Sequence, residues 1–350
     1  MRPLVVILIA VALAPVGTAA ALEWSEHEHV APLAPARSAP WHFERSFDVS
    51  DFKKGNLHTH TNRSDGDSAP EDVASWYRRS GYNFLALTDH NRFNDARRWA
   101  WLENEDFRLI SGEEITMSGG GRQVHVNALC TSQKIGGGTF DTVAAALSWA
   151  VSRVERQGGV AIVNHPNFDR AISATDLPAA DGAALFEIMS GHPYVYSAGT
   201  KNRPSAEHLW DVALTDGQLF AGVAVDDMHH LRTTADPPAF AGKGWVEVFA
   251  TANDPATICD ALRKGALYAS SGASFSRIRV TATTYTVWPE RGGSAVSFIG
   301  VEGRTLLRTT TVDDGEPATY VLGGGEVYVR ANVTAPDGTH AWAPAVFVRR

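Results

Sequence analysis

The stretch GNLHTH, residues 55–60, ends in two histidines that are separated by one residue. In an extended strand, residues i and i+2 point to the same face, so His58 and His60 project together. Two adjacent imidazoles can begin a divalent-metal site when further nitrogen or oxygen donors lie nearby. Taken alone, the pair fits equally well a polar strand end with two solvated histidines.

Further imidazole and carboxylate groups recur at the ends of successive strand-like segments. In α/β barrels the C-terminal ends of the strands form the rim of the active site. The pattern therefore predicts that these groups meet in one metal site. Asp89 precedes one of them and is predicted to orient it by hydrogen bonding rather than to bind metal. The additional candidate ligands are Asp65, His90, Glu114, His125, His165, Asp227 and His229.

Apolar runs alternate with helical patterns over most of the chain, which indicates an α/β fold with a largely parallel sheet or barrel. The predicted strands are Gly55–His60, Asn83–Thr88, Phe107–Glu113, Val124–Leu129, Val160–Val163, Leu185–Met189 and Phe220–Val225. The predicted helices are Pro70–Ser80, Phe93–Leu102, Asp141–Arg156, Pro204–Thr215 and Pro255–Arg263. After about residue 270 the apolar residues alternate with period two, which predicts a small antiparallel β domain.

The N-terminal residues resemble an export signal. A positive Arg2 is followed by an apolar run and by small residues at 18–21, which is typical of a cleaved signal peptide. A membrane anchor is the alternative, but Pro15 and Gly17 interrupt the run before it reaches spanning length. We therefore predict a periplasmic or secreted protein with no membrane span. Its predicted parts are a signal peptide (1–21), an N-terminal arm (22–54), an α/β barrel that carries the metal site (55–275) and a C-terminal β domain (276–350).

Composition excludes some classes of protein. The formal net charge of −8 argues against a stable nucleic-acid partner, since such proteins carry a basic face. Cys130 and Cys259 are the only cysteines, and two residues so far apart do not form a disulfide framework. We expect two buried thiols, although an oxidising compartment would permit a disulfide.

The ordered motifs resemble those of the polymerase and histidinol phosphatase (PHP) domain. The matching segments are HTHT with SDG (58–66), TDHN (88–91), GEE with the later His125, and DMH (227–229). Within that superfamily, the sequence motifs most resemble those of the carbaryl-hydrolase-like metallohydrolases. The resemblance covers about residues 55–280. It implies a distorted seven-stranded (β/α) barrel of PHP type and a centre of two or three metal ions.

The resemblance also implies how the ligands are shared among three metal positions. Glu114 would bridge the first two, and Asp227 is preferred over Asp226 because the family spacing is Asp-x-His. The implied sets are His58, His60, Glu114 and Asp227 for the first ion, Glu114, His125 and His165 for the second, and Asp65, His90 and His229 for the third. After Glu187 the sequence departs from the family, so His192 is predicted either to face the substrate or to lie on a surface loop.

The mixed nitrogen and oxygen donors fit zinc, manganese or iron. Such ions would make the site positive and would activate a bridging hydroxide as nucleophile. We therefore predict an exported metal-dependent hydrolase that acts on phosphoesters, with Glu114, Asp227 and His192 at its catalytic centre. An aryl carbamate or carboxylic ester is the alternative substrate, and a non-catalytic metal-stabilised binding protein is a further alternative. The oligomeric state stays open.

Overall fold

A computed structural model describes residues 46–48, 52–232 and 239–348, which all belong to one compact unit, Ala39–Arg350. The predicted signal peptide and most of the predicted arm lie outside the described residues. The helices are α1 (Pro70–Arg79), α2 (Val143–Arg156), α3 (Ala206–Thr215) and α4 (Pro255–Arg263). Short 3₁₀ segments are Ala96–Leu102, Phe168–Arg170, Leu177–Ala180 and Val301–Gly303.

The described residues also form twenty strands. They are β1 (Ser46–Asp48), β2 (Phe52–Asn56), β3 (Phe84–Ala86), β4 (Arg108–Ile110), β5 (Gly112–Gly119), β6 (Arg122–Leu129), β7 (Thr139–Phe140), β8 (Val160–Val163), β9 (Leu185–Ser190), β10 (Ala221–Val225), β11 (Trp245–Phe249), β12 (Leu267–Ser270), β13 (Phe275–Val280), β14 (Thr284–Pro289), β15 (Ala295–Gly300), β16 (Arg304–Thr310), β17 (Ala318–Val321), β18 (Tyr328–Thr334), β19 (His340–Trp342) and β20 (Val346–Phe347).

Local sequence explains where the four helices begin. Pro70 opens α1, where its missing N–H costs no intrahelical bond, and two acidic residues follow in the first turn. The side chains of Thr142, Ser205 and Asp254 cap α2, α3 and α4 by accepting backbone N–H groups of the first turn. These four predicted helices are confirmed, whereas the predicted helix Phe93–Leu102 is a shorter 3₁₀ segment.

The strands divide among three sheets. One sheet has the order β10–β9–β8–β6–β5–β7, and another has the order β1–β13–β14–β17. The largest has the order β16–β15–β18–β19–β12–β11–β2–β3–β4, with β20 paired to β18. Strands β2, β3 and β4 are parallel to one another, as are β8, β9 and β10.

A closed seven-stranded barrel is not confirmed, and a β-hairpin accounts for much of the departure. Strands β5 and β6 pair antiparallel from Gly112–Leu129 to Gly119–Arg122, with no helix between them. Gly120 and Gly121 form the turn with φ values of 56° and 77°, which glycine adopts without steric cost. The glycine run is a sequence signal for a hairpin turn, which the prediction of a largely parallel sheet does not take into account.

The C-terminal strands are antiparallel, as the period-two pattern predicts, and β19 pairs with β12 of the preceding region. This hydrogen bonding makes β15, β16, β18 and β19 an extension of the large sheet, whereas β13, β14 and β17 form a separate sheet with β1. The fully buried Arg330 of β18 supports the contact, because its guanidinium binds both carboxylate oxygens of Asp211 in α3 at 2.7 Å. The predicted boundary at residues 275–276 stays a prediction.

The expectation of two free buried thiols is wrong, because Cys130 and Cys259 form a disulfide. Cys130 follows β6, Cys259 lies in α4, and their Cα atoms are 6.0 Å apart. Packing of α4 against the sheets creates this proximity. A sequence separation of 129 residues carries no sign of it.

Candidate metal centre

Two chain segments run side by side at the base of the site. The amide of Asp227 donates to the carbonyl of His58, and the amide of His60 donates to the carbonyl of Met228. Asp227 adopts a left-handed conformation with φ of 50°, which Asp tolerates better than most residues. This pairing places the carboxylate of Asp227 3.3 Å from Nε2 of His58 and 3.2 Å from Nε2 of His60.

Glu114 lies at the centre of the site, on β5, and its side chain is fully buried. Its two oxygens face different sets of imidazoles. The nitrogens near Oε2 are His90 Nδ1 at 2.9 Å, His60 Nε2 at 3.2 Å and His58 Nε2 at 3.3 Å. The nitrogens near Oε1 are His125 Nδ1 at 3.1 Å and His165 Nε2 at 3.2 Å.

The nine predicted ligands come together, and their ligand atoms form four overlapping groups. Within a group all ligand atoms lie within 4.8 Å of one another. The groups are His58, His60 and Asp227; His58, Glu114 and His165; His90, Glu114 and His125; and His60, Asp65, His90 and His229. The last group is nearest to solvent, because Asp65 is exposed whereas His58 and Glu114 are fully buried.

The grouping differs in detail from the one that the resemblance implies. His60 lies with the third set as well as the first, since its Nδ1 is 3.3 Å from Asp65. His90 lies both with Asp65 and with Glu114. Glu114 nevertheless belongs to two groups, as a bridging carboxylate would, and each of these groups combines one histidine near Oε1 with one near Oε2.

The donor set fits divalent cations. Oε2 of Glu114 and Nε2 of His125 are buried without any hydrogen-bond partner among the described residues. Such orphaned polar atoms are costly in a protein interior unless an ion or another partner satisfies them. Three imidazole nitrogens surround Oε2 at contact distance without hydrogen-bond geometry, an arrangement typical of atoms that share a metal ion.

The acidic and imidazole groups shift one another's pKa values in the metal-free protein. Burial lowers the pKa of His90, but the charge of Glu114 and hydrogen bonding to Asp65 raise it to about 9. Burial raises the pKa of Glu114, yet His90 and His58 hold it well below its ordinary value. Protons thus stabilise the same charges that divalent ions would, so protons and ions compete for the site.

Several buried groups outside the predicted ligand set orient the ligands. Glu187 accepts a hydrogen bond from Nδ1 of His58 at 2.6 Å and one from the amide of His165 at 2.8 Å. The side-chain amide of Asn164 donates to Oε1 of Glu114 at 2.9 Å. An acidic residue within the buried apolar strand β9 is a sequence signal that could have identified Glu187.

Asp89 lies outside the four groups and is saturated by other donors. It accepts hydrogen bonds from the amide and hydroxyl of Thr61, from Ser64 and from Asn94. These bonds hold the loop that carries Asp65 against the residues that follow β3, so Asp89 is not a candidate ligand, but it supports this loop rather than bonding to His90 as predicted.

In each of the pairs Glu113–Glu114 and Asp226–Asp227, only one carboxylate faces the histidines of the cluster. Asp226 is buried away from the cluster, where it accepts hydrogen bonds from the hydroxyl of Tyr77 and the amides of residues 242–244. Glu113 points to the opposite face of β5 and accepts the amides of Ile135 and Gly136, both at 2.7 Å. Asp227 and Glu114 are therefore the members of each pair that face the histidines.

A cavity of about 140 Å³ opens onto the cluster. Besides the candidate ligands it is lined by Phe168, Val195 and His192. His192 is half-buried and belongs to none of the four ligand groups. Burial lowers the pKa of His192 to about 4. A larger cavity of about 650 Å³ lies beside the disulfide, but it contains none of the nine candidate ligands and no histidine.

None of the described helices has the length and apolar character needed to cross a bilayer. No protein-family model matches the sequence, and no curated protein is significantly similar to it.

Solved structures show distant similarity to the chain. One is a two-domain protein from Bacteroides vulgatus described as containing a predicted PHP-like metal-dependent phosphoesterase. It has 17% sequence identity and a TM-score of 0.47, and the match covers 89% of this chain and 100% of that chain. A second, from Bifidobacterium adolescentis, is proposed as a metal-dependent phosphoesterase, with 15% identity, a TM-score of 0.39 and coverages of 50% and 87%. A third is an amidohydrolase from Chromobacterium violaceum with bound sulfate and no metal, with 17% identity, a TM-score of 0.38 and coverages of 50% and 87%. These similarities assign no family to the chain.

Proposed function

We propose that this protein is an exported metal-dependent hydrolase of the PHP superfamily that acts on phosphoesters. The observation that carries the proposal is the position of Glu114, whose two oxygens face separate sets of imidazoles. A carboxylate in this position suits a centre of at least two ions.

The residues of the four groups would hold two or three ions of zinc, manganese or iron. When bound, the ions would supply a water of lowered pKa and positive charge for an oxyanion. Glu114 and Asp227 would balance much of the ions' charge at the buried base of the site. Asp65, His90 and His229 would hold the more exposed position. Glu187 fixes the ring of His58 and so presents its Nε2 to the centre.

The choice of a phosphoester follows from charge. Three divalent ions would outweigh the three ligand carboxylates and the nearby Glu187, so the fully loaded site would be positive within a protein of net charge −8. A positive, partly buried site binds a phosphoryl group and stabilises the charge that develops as the ester bond breaks. The small cavity fits a phosphoryl-sized group next to the ligands.

An aryl carbamate or carboxylic ester is the second candidate substrate. Phe168 and Val195 give the cavity an apolar wall, and no lysine or arginine is among its described lining residues. Apolar walls suit an uncharged acyl or aryl group, whereas many phosphate sites add basic side chains. If the substrate is a phosphoester, the metal ions alone would have to bind its negative charge. If it is a carbamate or carboxylic ester, its uncharged group would pack against the apolar wall.

A substrate panel with a common leaving group separates the candidates. Full-length mature protein, loaded in turn with manganese and zinc, would be assayed on p-nitrophenyl phosphate, bis(p-nitrophenyl) phosphate, p-nitrophenyl acetate and a p-nitrophenyl carbamate. We expect kcat/KM to be highest for one of the two phosphates. A preference for the carbamate or acetate would establish the second candidate, and metal binding without any turnover would support a non-catalytic binding protein.

Export is supported by the signal-like N-terminus and by the Cys130–Cys259 disulfide, a cross-link that persists in oxidising compartments. Intact mass of protein from the native host should correspond to a chain beginning near Ala21 or Leu22. A mass that retains Met1 would contradict the proposed cleavage.

A further inference from the structure

Resting on the proposed function, we propose that His192 binds substrate rather than metal and donates a hydrogen bond from Nε2 to a phosphoryl oxygen. His192 follows β9, the strand that carries Glu187. Its ring lies 5.0 Å from the ring of His229, and it shares the cavity wall with Phe168 and Val195. It therefore stands where a substrate on the ions would lie.

The hydrogen bonding of His192 fixes the position of its ring proton. The backbone amide of Tyr194 donates to Nδ1 of His192 at 3.3 Å. An amide N–H can only donate, so Nδ1 must carry a lone pair, and the proton of the neutral ring must be on Nε2. Among the described residues, Nε2 has no hydrogen-bond partner. The ring thus has a free N–H donor beside the cavity.

The contrast with the ligand histidines supports a different role. Each of the six candidate ligand histidines has a ring nitrogen within 3.5 Å of a cluster carboxylate, and His192 has no such contact. Its Nδ1 is already engaged and its Nε2 is protonated, so neither nitrogen is free to bind an ion without breaking this arrangement. An N–H donor next to a positive centre suits an oxygen that carries negative charge.

Hydrogen bonds fix the position of the loop that follows β9 and carries His192. The amide of His192 donates to Oγ of Ser190 at 3.3 Å, and the amide of Ser190 donates to Oγ of Ser197 at 3.0 Å. Farther along, Arg203 donates to the carbonyl of Asn167 at 2.6 Å, and the side chain of Asn167 donates back to the carbonyl of Tyr196 at 3.0 Å. A donor whose position is fixed before substrate arrives loses little entropy on binding.

The test compares His192→Gln, which keeps an N–H donor near the Nε2 position, with His192→Phe, which removes it. His208→Phe is the matched control, because His208 is exposed on α3 and lies outside the cavity lining. Zinc content, phosphate affinity by calorimetry and the ring ¹⁵N resonances of the zinc-loaded protein would be measured, with kcat as a further readout.

We expect unchanged zinc content in all variants and an Nε2–H resonance of His192 that shifts when inorganic phosphate binds. Phosphate affinity and kcat should fall about 10- to 100-fold in His192→Phe, as expected for the loss of a hydrogen bond to a charged group. His192→Gln should recover much of that loss, and His208→Phe should equal the wild type.

Loss of a zinc ion in His192→Phe would show that His192 is a ligand and would overturn the proposal. Wild-type phosphate affinity in His192→Phe would show that the ring is only part of the wall, which also overturns it. The resonance shift and the phosphate affinity do not depend on turnover. If both behave as expected while no phosphoester is hydrolysed, the proposed reaction fails and the assignment of His192 stands.

Discussion

Nδ1 of His58 lies 2.6 Å from Oε1 of Glu187, and both side chains are buried. This bond leaves Nε2 of His58 free to face the cluster and determines which ring nitrogen is available to an ion. Carboxylates that support metal-bound histidines in this way raise the basicity of the ring and fix its orientation.

Replacing Glu187 by Gln should therefore weaken metal binding without removing a ligand. We expect an affinity loss of about 10- to 100-fold, measured by zinc titration against a competing chelator. Glu247→Gln is the control, since Glu247 accepts a bond from Trp245 and contacts none of the cluster histidines. Equal affinities in the two variants would show that Glu187 does not support the centre.

Glu114 should be the least replaceable carboxylate. Glu114→Gln keeps the side-chain volume but replaces one oxygen by an N–H donor that faces imidazole nitrogens. We expect the loss of at least one ion and a fall in activity of at least about 100-fold, because a direct ligand should matter more than its supporting groups.

Glu113→Gln is the natural comparison on the same strand. Its Oε1 accepts two backbone amides on the opposite face, so the variant should keep its metal and most of its activity. Metal content by elemental analysis and kcat would be compared side by side. A Glu113 variant more damaged than the Glu114 variant would place the ligand one residue earlier.

Replacing Asp227 should impair metal binding, whereas replacing Asp226 should lower the free energy of unfolding. Asp227→Asn should lose metal while remaining folded, because Asn tolerates the left-handed backbone at this position. Asp226→Asn should bind metal but unfold more easily, by about 1–3 kcal/mol, because an amide cannot accept all four hydrogen bonds that reach the carboxylate. Metal content and urea unfolding of both variants would reveal a reversal of these roles.

The metal-free protein should lose stability as pH rises above neutrality. The pKa of His90 is raised from 6.5 to about 9, so its protonated form stabilises the fold fully below pH 6.5 and this contribution is lost as pH passes 9. The lowered pKa values of Glu114 and Asp227 contribute a constant amount over this range, since both carboxylates are already ionised.

We therefore expect the Tm of chelated protein to fall between pH 6.5 and 9.5. Metal-loaded protein should show the opposite trend, because protons compete with the ions for the same atoms. Thermal unfolding of both forms at constant ionic strength provides the measurement, and His90→Asn should reduce the slope of the chelated form without removing it, because the pKa values of His58 and His60 are raised as well. A rising Tm in the chelated protein would contradict the assigned charges.

The sequence predicts those helices and site residues that depend only on residues near one another in the chain. The starts of α1 and α4 follow from Pro70 and from Asp254 with Pro255, and most of the candidate ligands lie at or just after apolar runs. The β5–β6 hairpin is missed although Gly120 and Gly121 are typical hairpin-turn residues, because the alternation of strands and helices elsewhere favours parallel strands. The Cys130–Cys259 pair and the Glu187–His58 bond depend on tertiary packing, so spacing in the sequence cannot indicate them.

The disulfide also determines how the protein would respond to proteolysis. The candidate ligands from His58 to His125 precede Cys130, whereas His165, Asp227 and His229 lie between the two cysteines. A single cut anywhere from residue 131 to residue 258 would therefore leave two fragments that stay covalently joined. A clipped molecule would retain every ligand and migrate as one species in electrophoresis until a reducing agent separated its halves.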